Sequence, residues 1–222
     1  MPAHFSKRFF EFFRELALNN DREWFAANKD RYIAEVEEPM LRFIVDVGAR
    51  LPEISANFVA DPRRVGGSLF RIYRDTRFAK DKSPYKTWAA AHFKHRAGTR
   101  EVAVPGFYVS LAPEQCWAGG GMHHPDAASL KAVRDRIVAK PSEWARVLET
   151  CALQGESLKR VPTGYDPAHR FADDLRRTDL YCGATFTERQ VVATGFLDAF
   201  MLACANAASL LQFETKALGL KW

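Results

Sequence analysis

The sequence predicts an α+β fold: a mainly antiparallel sheet, a meander of about four strands plus one or two short distal strands, packed with about six or more helices. Three observations predict it. Apolar residues recur at helical spacing toward both ends of the chain, four stretches between residues 68 and 122 alternate as strands do, and no helical pattern separates those stretches. Links of that length without a helix make strands turn back on one another instead of crossing over. With 222 residues, 47% of them hydrophobic, one good-sized core can form. No linker divides the chain, so residues 1–222 read as a single globular α+β domain.

The first expected helix starts at Ser6 as cap and carries Phe9, Phe12, Phe13 and Leu16 on one face, with Phe5 as a staple and Asn19-Asn20 as a stop. Asp21 caps a second helix bearing Trp24, Phe25, Asn28, Tyr32 and Val36, and Pro39 either ends it or begins the next, from about Met40 to Leu51. After a loop at 52–67, strands are expected at 68–75, about 85–95, 104–112 and 115–122, with Arg96-Ala97-Gly98 and Pro113-Glu114 as turns. Asp126 begins a helix with Leu130, Val133 and Ile137, and Pro141-Ser142 another with Trp144, Leu148 and Cys151. Short strands are expected near 158–161 and 180–186. Thr187-Glu188-Arg189-Gln190 reads as a capping box opening a long helix to about Gln212.

Charge singles out one stretch, Leu69 to Thr87. Between Arg71 and Lys86 six cations stand against Asp75 and Asp81, so four of the chain's five net positive charges lie there. They alternate with Phe70, Ile72, Tyr73, Phe78 and Tyr85, a mixture that suits a fixed anion site better than a disordered arm. If 68–75 pairs with 85–95, the nine residues TRFAKDKSP connect them, longer than the usual hairpin loop. Alternation then puts Phe70, Ile72, Ala89, Ala91, Phe93, Val109 and Leu111 on an apolar face toward the helices. Arg71, Tyr73, Asp75, Lys86, Trp88, His92, Tyr108 and Ser110 fall on the opposite, charged and aromatic face.

These residues define the expected ligand site: Arg71, Arg74, Arg77, Lys82 and Lys86 for a phosphate or carboxylate, Trp24 and Trp88 to stack an organic group, and Gly119, Gly120 and Gly121 where a ligand or backbone approaches closely. The bland alternatives are a salt-bridge network around Asp75, a soluble loop tip, and glycines that serve a bulge or close packing. Asp75 and Tyr73 are the acid–base candidates, and a carboxylate beside cations would stay ionised and act as a base. His123-His124 with His92, His95 and Cys116 could be imagined as a metal site. Adjacent histidines on a strand point to opposite faces, so at most one would join a cluster, and no metal or cofactor is expected.

GxxxxGK[ST], GxGxxG and GxSxG are all absent. Cys116, Cys151, Cys182 and Cys204 are far apart and read as buried thiols of a reducing cytoplasm. The N-terminus lacks the pattern of a signal peptide, and no uninterrupted apolar run approaches the roughly 18 residues of a membrane span. The expected location is cytoplasmic, without a membrane partner.

Four separated segments carry a resemblance: NNDREWFAANKDRY, FRIYRDTRFAKDKSPYKT, PGFYVSLAPEQCWAGGGMHHPD and LKRVPTGYDPAH. In these the chain resembles the bacterial and fungal family catalogued as domain of unknown function 2461, from about Phe9 to Phe213. The pattern matches at Asn19, Asn20, Trp24, Phe25, Arg71, Tyr73, Arg74, Asp75, Arg77, Phe78, Lys82, Pro84, Tyr85, Lys86, Gly119 to Gly121 and Pro162, and departs at His123 or His124. The resemblance implies one domain and names no activity. The function read from the residues is binding of a phosphorylated or carboxylated small molecule, with or without catalysis. The alternatives are nucleic-acid binding through the basic hairpin 71–86 and a protein-interaction or structural module. Neither oligomeric state nor reaction class is written in the sequence.

Overall fold

The computed structural model describes residues 2–98 and 104–222. Part of the connection between the second and third expected strands, 99–103, lies outside the described residues.

Helix α1 (Lys7–Leu18) follows Ser6, which sits extended at the cap position without a side-chain capping bond, while Phe5 packs on Phe9 at 5.0 Å between ring centres. Asp21 accepts the Trp24 N–H at 2.8 Å and so caps α2 (Arg22–Ala27). The path resumes as α3 (Lys29–Tyr32), widens into a π-helical turn at Ile33–Glu37 and continues as α4 (Glu38–Arg50). Pro39 therefore breaks nothing. It lacks an N–H and its ring crowds the carbonyl four residues back, and the wide turn just ahead of it absorbs that demand.

The sheet has four strands among the described residues, β1 (Ala89–Lys94), β2 (Gly106–Ala112), β3 (Gln115–Met122) and β4 (Leu180–Phe186), all antiparallel in the order β1-β2-β3-β4. The meander is as expected, with three corrections. First, 68–75 is no strand, and β1 begins only at Ala89. The two segments meet through isolated bridges, Leu69 with Ala91 and Tyr73 with Tyr85; between these one side advances four residues and the other six, so the chain bulges at Thr87-Trp88. Face alternation needs an unbroken pleat. Leu69 and Ile72 are accordingly the buried residues, and Phe70, expected toward the helices, lies on the opposite face, 38% exposed.

Second, no strand forms at 158–161; the chain touches β4 through a bridge between Gln154 and Tyr181. Third, the capping box at Thr187 forms but opens only α8 (Glu188–Val191) before the chain turns at 192–195 and restarts as α9 (Phe196–Ala217). Gly195 stands at that restart, where its poor helix propensity favours a break.

Helices α5 (Ala127–Ala139), α6 (Pro141–Thr150) and the short α7 (Ala172–Leu175) occupy the connection between β3 and β4. Helix α9 lies under the sheet. Its 22 residues are long and apolar enough to cross a membrane, yet here it is a core helix with 56% of its most apolar window buried. Phe43 stacks on Phe196 and meets Phe200, which in turn touches Phe93, so α4, α9 and β1 share one aromatic core. All four cysteines are free and buried. Sequence distance misleads for two of them: the Cys182 thiol donates to Cys151 at 2.7 Å, which pulls the Cys151 pKa down and pushes that of Cys182 up.

The outer edge of β1 is covered by neighbouring chain. The Phe70 N–H donates to the Ala90 carbonyl at 2.9 Å, His92 donates to Ser68 at 2.9 Å, and Val59 donates to Lys94 at 3.0 Å. At the opposite edge, Gln154 donates to the Tyr181 carbonyl at 2.8 Å.

Candidate functional site

Most cations of the 71–86 segment find partners inside it. Arg77 grips Asp75 at 3.0 and 2.7 Å, and that grip holds the Asp75 carboxyl at about 2. Arg74 pairs with Asp81, whose carboxylate also accepts the Ser83 hydroxyl at 2.6 Å and its N–H at 2.9 Å. Ser83 and then Arg74 hold Asp81 far below the carboxylate range. Lys82 donates to the Thr76 carbonyl at 3.0 Å. Asp75 is thus ionised but occupied, and Tyr73, half-exposed, packs on Tyr85 at 5.5 Å and makes no hydrogen bond with it.

The side chains of Arg71 and Lys80 make no hydrogen bond or ion pair among the described residues, although Asp75 feels the charge of Arg71. Lys86 is the neighbour of Arg71: its Nζ donates to the Arg71 carbonyl at 2.6 Å and lies over the rings of Trp88, at 5.3 Å, and Phe70, at 5.8 Å. Burial first, and repulsion by Arg71 second, lower the Lys86 pKa. Two adjacent cations, one partly desolvated, are left without a bonded carboxylate.

On the Lys86 side opens a cleft of about 580 Å³ lined by Asn20, Arg74, Asp75, Asp81, Lys86 and Trp88 among others, but not by Arg71. Its two cations face two carboxylates, so the cleft is close to neutral. Asn20 builds its wall: Nδ2 donates to the Tyr85 carbonyl at 3.0 Å while Oδ1 accepts the Tyr85 N–H at 3.1 Å. Trp24 does not line the cleft; it packs on Phe12 at 5.8 Å.

From Trp88 a row of rings runs across the face of the sheet opposite the helices. It passes through Phe70 to Tyr108, with His92 at its side, and on to Trp117, Tyr181 and His123, at centre-to-centre steps of 5.7 to 6.5 Å. Trp117 lies flat because its neighbours are glycines. A Cβ at Gly183 would stand 2.4 Å from its ring, and one at Gly119 would stand 2.7 Å from it. Beside Gly121 stand the Leu180 carbonyl and the Cα and Cβ of Tyr181, and beside Gly120, on the other face, Leu211 and Phe107. The chain itself thus occupies the space beside all three glycines. The Trp117 indole N–H donates to Gln154 at 3.0 Å, which fixes the ring. Burial, and less so Lys94, brings His92 down to about 4, so it is neutral.

Sequence alternation identified Trp88, His92 and Tyr108 for this face but missed Trp117 and Tyr181; the pairing of β3 with β4 brings them in, and the glycines beside Trp117 were the available signal. The expectation that at most one of His123 and His124 joins a cluster is also corrected. Strand β3 ends at Met122, and His124 has a φ of 47°, so the chain doubles back and the two rings lie 3.9 Å apart beside Asp179. Strand alternation does not extend past the strand.

The fold and surface define a small α+β protein with helices on one face of an antiparallel meander and a half-open aromatic row, basic at one end, on the other. A conserved hypothetical protein family, DUF2461, has a family model that matches residues 8–213, and the chain belongs to it. Neither a curated protein nor a solved structure matches the chain.

Proposed function

We propose that the protein binds an anionic small molecule, phosphorylated or carboxylated, with its charge between Arg71 and Lys86 and its organic part along Trp88, Phe70 and Tyr108. The observation that carries this is the adjacency of Arg71 and Lys86 without a bonded carboxylate, one exposed and one laid over two rings. Bringing an anion there relieves the repulsion and supplies charge-assisted hydrogen bonds of roughly 1.5–3 kcal/mol each. Arg74, Arg77 and Lys82 shape the loop in this reading, because their partners lie within it. Asp75, held by Arg77, orients the loop and takes no proton at neutral pH.

Thermal shift with inorganic phosphate, pyrophosphate and a nucleoside monophosphate tests the reading. A ligand at 100 times its Kd stabilises by about 2.7 kcal/mol. The wild-type protein should gain stability and Arg71→Ala should lose that gain. An equal response in both proteins counts against Arg71 as the anion anchor.

The aromatic row favours a second reading, single-stranded nucleic acid stacked base on ring. Binding of a short oligothymidylate that weakens steeply as salt rises would support it, and absence of salt-sensitive binding would remove it.

A further inference from the structure

We propose that His123, His124 and Asp179 form a binding site for a divalent transition-metal ion of the zinc class. One donor atom from each of the three lies within 4.8 Å of the other two. The objection from sequence, that neighbouring histidines diverge, does not hold here, because the turn at His124 places both rings on one side, 3.9 Å apart.

The carboxylate is the fixed member. Asp179 has a side chain only 2% exposed. Oδ1 accepts the His124 N–H at 2.7 Å, and Oδ2 accepts the Glu156 N–H at 3.2 Å and the Thr178 hydroxyl at 3.4 Å. Such outer bonds orient a ligand before an ion arrives. His124 Nδ1 stands 3.3 Å from Asp179 Oδ1, which is about the edge of a tetrahedron with arms of about 2.0–2.1 Å, the bond lengths of zinc to imidazole and carboxylate. His123 is exposed, so rotation of its side chain closes the remaining distance.

A simple ion pair explains less. An ion pair of His124 with Asp179 leaves the neighbouring His123 ring, 3.9 Å from that of His124, without a role, since His123 makes no hydrogen bond among the described residues. One cation between the three uses the lone pairs of both rings. Two nitrogens and one carboxylate oxygen suit zinc, cobalt, nickel or copper ions, whereas magnesium and calcium prefer all-oxygen sets. Both rings face solvent, which leaves coordination positions for water or for a ligand donor, as in three-residue catalytic zinc sites. Tyr181, 5.7 Å from His123, joins this corner to the aromatic row.

The test is titration of the full chain with cobalt(II), read by its visible absorption, and with zinc by calorimetry. The variants are His123→Ala and His124→Gly, the latter chosen because glycine accepts the positive φ. The expected result is one ion per chain, no near-ultraviolet thiolate charge-transfer band, and affinity at least about tenfold weaker in each variant, with metal-free melting temperatures unchanged. Saturable binding that persists undiminished in both variants, a thiolate band, or no saturable binding by the wild type overturns the proposal.

Discussion

Asn20 holds Tyr85 by both of its backbone groups, and this one side chain ties the end of α1 to the far side of the basic loop. At a net ~1 kcal/mol per hydrogen bond, Asn20→Ala should lower the free energy of unfolding by about 2 kcal/mol, measured by urea denaturation. Asn20→Asp keeps the acceptor for the Tyr85 N–H but sets a carboxylate oxygen against the Tyr85 carbonyl, so it should destabilise as well. His92 sets a second expectation at this scale. Its folded pKa, about 4, lies below the free value of 6.5, so between those values the unfolded chain binds a proton that the folded chain refuses. The stability from neutral His92 is complete above pH 6.5 and is lost as pH falls through about 4. Melting temperatures from pH 7 to 4 should therefore fall less steeply in His92→Phe than in the wild type, and equal slopes would reject His92 as the proton-linked group.

At the level of elements, helices were legible wherever a cap and an apolar period coincided, as at Asp21, Asp126 and Thr187. Strand faces were legible within β1 and β2, where Ala91, Phe93, Val109 and Leu111 are buried as alternation requires. The 68–75 segment was misread because its residues have strand character while its partner carries a two-residue bulge that no local pattern announces. Gly120 shows the same limit from another side. Its need for glycine comes from α9, far along the chain: a Cβ there would lie 2.7 Å from Leu211 and 2.9 Å from Phe107. Gly120→Ala should cost about 1–3 kcal/mol by overpacking, with a lowered denaturation midpoint as the readout; a neutral effect would mean that α9 can shift.

For the whole molecule, the fold class followed from the order of periodic segments, because helix-free links leave a meander little freedom. The candidate site was legible only in part. Its charges are local in sequence, and Arg71, Lys86 and Trp88 do meet. Which cations remain unneutralised was not legible, since Arg74 finds Asp81 and Arg77 finds Asp75 only once the loop has closed. The histidine pair with Asp179 unites residues from either side of α5, α6 and α7 and depends on one left-handed residue.

The strap of chain at 68–70 that lies along β1 has a further consequence. A sheet with a bare margin is a template on which other chains add strands, and here the margin is guarded by Ser68 and Phe70, next to Arg71. The proposed anion site and resistance to self-association thus draw on the same short stretch of chain. A change that loosens the strap would therefore disturb the proposed site and also leave β1 open to recruit a neighbour.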